Sequence, residues 1–188
     1  MTLLILGLIL WWIVHTYPLV AKPSRDALVA KLGEGPYKGV YSLAILASLV
    51  LMVIGYRGAE FVNVWFPPAW GMHLTDLLMI FAVFLFGASH SKGNVKRHVR
   101  HPQLLAVIVW AASHLVVNGD LASLVLFGGL GLWAIVAIFA TNARDGAWAK
   151  PAPAPRKKDL ILVGITVVLY VVIGAIHALV GPSPFPGG

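Results

Sequence analysis

The sequence predicts an all-α, polytopic membrane protein, a helix bundle of about six transmembrane helices with the whole chain, 1–188, as one domain. Three observations carry that expectation. Apolar residues make up 59% of the chain, charged residues only 11%, and the mean hydropathy is +0.86; water-soluble domains do not have such a composition. The apolar residues gather in runs close to the roughly 20 residues that cross a hydrocarbon core about 30 Å thick. Lysine and arginine fall between alternate runs, the pattern that short cytoplasmic loops impose.

Read with helix rules, the spans are 2–21, 38–57, 69–90, 102–118, 121–141 and 159–180. The first is expected to be a retained helix. Its apolar stretch is too long for a signal peptide, no basic segment precedes it, and no small-x-small cleavage site follows it. The fourth span opens on Pro102, which a first helical turn accepts because the missing N–H costs nothing there. Between the fourth and fifth spans, Asn118-Gly119 suits a left-handed exit from one helix and Asp120 the N-cap of the next, giving a tight hairpin on the outer side. The glycines of GGLGLW in the fifth span suit close helix packing. Before the sixth, KPAPAPRKKD reads as a stiff, solvated strap. The other long connections are the first loop and the stretch near 58–68, and no internal repeat stands out.

The basic residues orient the chain. Lys22, Arg25, Lys31 and Lys38 lie in or beside the first connection, Lys92, Lys96, Arg97 and Arg100 in the third, and Arg144, Lys150, Arg156, Lys157 and Lys158 in the fifth; Arg57 alone falls elsewhere. With six spans, all odd-numbered connections share the cytoplasmic side and both termini face away from it. The formal charge of +7 therefore points to anionic membrane lipids as partners. It does not point to nucleic acid, for which no binding module is present. The absence of cysteine excludes disulfides, thiolate ligands and iron–sulfur clusters.

Polar groups inside apolar spans are costly and mark function. His90, His98 and His101 sit at or beside the basic third connection, where solvation explains them. His15, His114 and His177 lie inside apolar runs, and His73 and Asp76 in the first turns of the third span. His114 should be roughly 18 Å from the cytoplasmic end of its span, on a face shared with Gln103, Val107, Trp110 and Asn118. His15 should be roughly 9 Å in, with Trp11 and Trp12 on neighbouring turns. Neutral imidazoles on two helices of a bundle can hold haem iron from both sides. Each can equally hydrogen-bond a nearby carbonyl or hydroxyl. His177 can pair with Asp76 or ligate iron opposite His114.

Two segments carry a resemblance: HTYPLVAKPSRDALVAKLGEGPYKGVYSLAILASLVLMVIGY and RHPQLLAVIVWAASHLVVNGDLASLVLFGGLGLWAI. They resemble the NnrU family over nearly the whole chain, which implies a bacterial inner-membrane protein linked to denitrification through nitrite and nitric oxide reductase expression or activity. They are more distantly similar to ζ-carotene isomerase, a haem b membrane enzyme. That likeness implies haem b with His15 and His114 as metal ligands, and Ala111 stands where the isomerase has an alternative cysteine ligand. Trp11, Trp110, Asn118, Arg100 and His101 are the expected cofactor-binding neighbours. The implied roles are redox chemistry, sensing of a diatomic gas, or isomerase-like chemistry on a lipid-soluble small molecule, with denitrification reductase components as possible partners. Arg100-His101-Pro102 also resembles the opening of an S-adenosylmethionine site in membrane methyltransferases, with Arg144 and Asp145 as its second part; Gln103 departs from that pattern. A cofactor-free assembly factor is the third alternative.

Overall fold

The structure, a computed structural model, describes residues 1–181, 183 and 184. The described residues form seven α-helices and one 3-10 turn, with no strand beyond an isolated bridge. The helices are α1 (Thr2–Val20), α2 (Lys22–Leu32), α3 (Glu34–Arg57), α4 (Gly71–His90), α5 (Pro102–Val117), α6 (Leu121–Asp145) and α7 (Lys157–Val180), with the 3-10 turn at Val95–Arg97. Five of them, α1, α3, α4, α6 and α7, are long and apolar enough to cross a membrane, and α5 is apolar but shorter. The protein is an all-α membrane protein, as its composition predicts.

One element departs from expectation. The first connection is a helix, α2, which follows α1 after the single residue Ala21 and carries Pro23 in its first turn, where proline is tolerated. It has no buried residue. Lys22 pairs with Asp26 at 2.7 Å across one turn, a spacing that supports a helix locally. Gly33, at φ 85°, ends it in a conformation that favours glycine.

The chain divides into two compact units. Unit 1, residues 1–64 and 120–146, holds α1, α2, α3 and α6. Its centre is a close crossing of α1 and α3 built on glycine. A Cβ on Gly7 would stand 2.8 Å from the Ser48 carbonyl oxygen and the Met52 nitrogen, and a Cβ on Gly55 would collide with the backbone of Leu3 and Leu4. Small residues let the two backbones approach, the mode of packing available where lipid removes the hydrophobic incentive. Leu4, Leu8, Met52 and Ala122 form the buried cluster. From α6, Gly129 faces Leu8 and gives its carbonyl to Trp12 Nε1 at 3.1 Å, so one glycine of GGLGLW does serve close packing. Ser123 meets the Tyr56 hydroxyl at 2.9 Å. Asp120 caps α6 as the sequence predicts, accepting from Ser123 N at 2.9 Å and Ser123 Oγ at 2.6 Å.

Unit 2, residues 65–119 and 147–188, holds α4, α5, α7 and the 3-10 turn. Here α4 is central, packing on both α5 and α7. Thr75 donates to the Ser113 carbonyl at 2.8 Å, and the buried Ser113 hydroxyl sits between the Trp110 carbonyl (2.8 Å) and Met79 Sδ (3.3 Å). Gly87 accommodates Leu162 of α7. Two expectations are corrected in this unit. Asn118 has φ −122°, and neither it nor Gly119 is left-handed; Gly119 is required because a Cβ would strike the Trp65 carbonyl. Asp76 and His177 do not form an ion pair. His73 is the titratable neighbour of Asp76, the Asp76 backbone carbonyl accepts from Tyr170 at 3.3 Å, and His177 lies near His114.

The strap is tied to the third connection within unit 2. Asn94 N donates to Asp159 Oδ1 at 2.7 Å and Asn94 Nδ2 to Asp159 Oδ2 at 2.6 Å. The same amide donates to the Ala154 carbonyl at 2.8 Å and accepts from Ala154 N at 2.9 Å. The segment expected as a solvated strap is thus fixed at Ala154.

Candidate functional site

In unit 1 the site is built around His15, half-buried on α1. Its Nδ1 lies 3.0 Å from the Trp11 carbonyl one turn earlier. A carbonyl can only accept, so in the neutral ring Nδ1 carries the proton and the lone pair is on Nε2. The Trp11 ring stacks on the imidazole at 3.9 Å with 27° between planes. Trp133 of α6 meets it edge-on at 5.1 Å, and Tyr41 of α3 does so at 6.2 Å. Both Trp11 Nε1 and Trp133 Nε1 are buried without a hydrogen-bond partner. Two indole donors that lack an acceptor, next to an imidazole that offers a lone pair, make an aromatic cluster whose polar groups are incomplete.

In unit 2 the same local arrangement recurs. His114 Nδ1 lies 2.8 Å from the Trp110 carbonyl, four residues back, and the Trp110 ring is 5.1 Å away at 49°. The lone pair is again assigned to Nε2. His114 is half-buried, and His177 of α7 is its electrostatic neighbour. Asn118, expected to line a cofactor, closes the helix: both its backbone N (2.9 Å) and its Nδ2 (2.8 Å) donate to the His114 carbonyl. That double bond to the last turn holds the histidine's backbone. Ala111 is buried and supplies no ligating atom.

The RHP residues sit at the other end of α5. His101 is the N-cap residue, its carbonyl accepts from Leu105 N at 3.0 Å, and Pro102 is at the first helical position. Arg100 and His101 both interact with other groups of the protein. Arg144 and Asp145, at the end of α6, form a two-pronged pair with each other, 2.7 and 3.2 Å. His98 is exposed, and His90 ends α4 against Phe86.

Among the described residues, no three His, Asp or Glu side chains gather to hold a metal ion. The chemistry on offer is that of single imidazoles with a fixed tautomer, each able to take a proton or coordinate a transition metal through Nε2. Trp133 and Tyr41 are the neighbours that the sequence did not single out. They stand 118 and 26 positions from His15, on helices whose facing is set by packing.

The family model described as NnrU protein matches residues 3–184, nearly the whole chain. No curated protein and no solved structure matches, so the likeness to ζ-carotene isomerase rests on the quoted motifs alone.

Proposed function

We propose that this protein, which belongs to the NnrU family, is a multi-pass haem b protein of the bacterial inner membrane serving denitrification, with His15 and His114 as iron ligands. One observation carries the reading. A half-buried histidine in an apolar helix gives its Nδ1 proton to the carbonyl of a tryptophan four residues earlier, and this occurs once in each unit. Histidines that ligate a metal are commonly held this way: anchoring Nδ1 leaves Nε2 as the nitrogen that would bind iron and raises its basicity. A porphyrin provides four of the iron's ligands, so a site without three protein donors is no obstacle. The unpartnered indole N–H groups of Trp11 and Trp133 support a ligand beside His15, because each is a buried donor that costs stability until an acceptor arrives.

Bound there, the group would supply one-electron redox chemistry or an iron position for a diatomic gas such as nitric oxide. The chain's own part is to fix the imidazole tautomers and to stand Trp11 beside His15 and Trp110 beside His114. Electron transfer or gas sensing is favoured over isomerase-like chemistry on a lipid-soluble molecule, since Ala111 offers no alternative ligand. The family's link to nitrite and nitric oxide reductases makes their components the natural partners.

Protein made with ample haem supply and purified in detergent should give a b-type reduced-minus-oxidised spectrum and a pyridine haemochrome. His15→Ala and His114→Ala should each alter the Soret band, whereas exposed His98→Ala should not. Absence of haem overturns the proposal. A carbon monoxide difference spectrum separates the two chemistries: gas sensing requires a carbon monoxide adduct, whereas electron transfer does not.

A further inference from the structure

The end of unit 2 where α4 stops and α5 begins concentrates cations that the haem reading does not use. Unit 2 contains eight Lys and Arg, all in the third connection, the strap or the first turn of α7, against two acidic residues. Asp76 stands some four turns away along α4, about 21 Å. Asp159 is at this end, yet both its carboxylate oxygens already accept from Asn94, at 2.7 and 2.6 Å. Lys96 is occupied by the Ser89 carbonyl at 3.1 Å. Arg97, on the 3-10 turn that follows Asn94, keeps a buried Nε with no hydrogen-bond partner.

A guanidinium has only donors, and a donor nitrogen buried without an acceptor, here Nε, is a cost that an oxyanion would remove. The turn is already rigid, because Asn94 binds the strap through Ala154, so little ordering entropy opposes binding. Its location restricts the source of the oxyanion. The turn follows closely on α4, a helix long and apolar enough to cross a membrane, and the residues just past such a span are within reach of lipid phosphates. Exposed Phe86 on the last turns of α4 and exposed Leu160 and Ile161 on the first turns of α7 offer apolar surface of the kind that acyl chains cover. We infer that Arg97, presented by the Val95–Arg97 turn, seats the phosphate of an anionic phospholipid, its planar fork matching two phosphate oxygens. This site is independent of haem.

The test uses the full-length protein in zwitterionic detergent, titrated separately with phosphatidylglycerol, phosphatidylcholine and inorganic phosphate, with lipid retention followed by native mass spectrometry and by the shift in unfolding temperature. Phosphatidylglycerol should bind preferentially, and Arg97→Gln should weaken it about tenfold, as expected for loss of a charge-assisted contact. Arg97→Lys, keeping the charge without the fork, should fall in between and covers the case in which Arg97→Gln does not fold. Lys31→Gln, an equal charge loss on α2, should leave affinity unchanged. Equal losses in Arg97→Gln and Lys31→Gln would reduce the effect to general electrostatics and overturn the site. Displacement of the lipid by inorganic phosphate at equal concentration, or equal retention of phosphatidylcholine, would overturn the assignment to an anionic lipid.

Discussion

Single side chains decide most of what is specific here. Asn94 makes four hydrogen bonds to two distant pieces of chain; three belong to its side chain and one to its backbone amide, all in partly buried surroundings. Asn94→Ala removes three of the four and leaves the Ala154 N–H and an Asp159 oxygen unmet, so it should cost about 2–3 kcal/mol. The measurement is denaturant unfolding in micelles, together with trypsin cleavage at Arg156, Lys157 and Lys158, which should accelerate once the strap is released. Gly93→Ala should do the same by another route, since its Cβ would collide with Asp159 Oδ1. Trp133→Phe has the opposite sign. It deletes a buried donor without an acceptor while keeping a six-membered ring, and should leave the haem-free protein as stable as wild type or more stable by about 1 kcal/mol; a clear loss would mean that the packing lost with the indole outweighs the orphaned donor. Little of this was legible in advance. The repeated spacing of Trp11 to His15 and Trp110 to His114 is visible in the sequence, and so is its apolar setting. The tautomer it enforces, the edge of Trp133 and the orphaned N–H groups depend on contacts between residues far apart in the chain, for which periodicity carries no signal.

At the scale of helices, hydropathy reveals where apolar segments lie but is silent on which of their faces meet. All six spans appear within a few residues of where the apolar runs put them, because a run of that length in lipid has no satisfactory backbone arrangement but a helix. The segment from Lys22 to Leu32 reads in the sequence as part of the first loop. It forms a helix because proline sits in the first turn and the Lys22–Asp26 pair spans one turn, both compatible with helix and neither diagnostic of it. Close crossings are the other hidden feature. Many glycines of this chain occur in helices, yet only some are needed as glycine: Gly55 abuts the α1 backbone, while Gly39 on the same helix has nothing within 4 Å of a built Cβ. Gly55→Ala should therefore separate α1 from α3 and cost about 1–3 kcal/mol or more, whereas Gly39→Ala should be neutral or stabilise by up to about 1 kcal/mol through helix propensity. Reversible unfolding in mixed micelles, followed by far-ultraviolet circular dichroism, compares the two directly. Equal effects would mean that the crossing is not held by backbone proximity.

For the molecule as a whole, the open question with a physical answer is how many times the chain crosses the membrane. Five helices qualify by length and apolarity, and α5, with 16 residues, reaches about 24 Å, short of a hydrocarbon core of about 30 Å. Charge decides between five crossings and six. If α5 crosses, the first, third and fifth connections share a side and 13 of the 14 Lys and Arg lie there. If it does not, the strap and its basic residues fall on the side opposite the first connection, and the asymmetry that orients membrane proteins disappears. Flanking residues can make good the missing length, since Arg100 and His101 at one end and Asn118 at the other are polar groups suited to the interface, and a short span is accommodated by modest local thinning. The expectation of six crossings, with both termini away from the cytoplasm, rests on this asymmetry. The native chain has no cysteine, so a single introduced thiol reports its own side without background. Ala152→Cys in the exposed strap and Glu60→Cys after α3 are both at exposed positions. In sealed right-side-out vesicles, a membrane-impermeant maleimide should label Glu60→Cys and spare Ala152→Cys until the membrane is permeabilised, and inverted vesicles should reverse the result. Labelling of both from the same side would require α5 to turn back without crossing, and would put the strap on the side opposite the turn at Asn94, to which Asp159 and Ala154 are bonded.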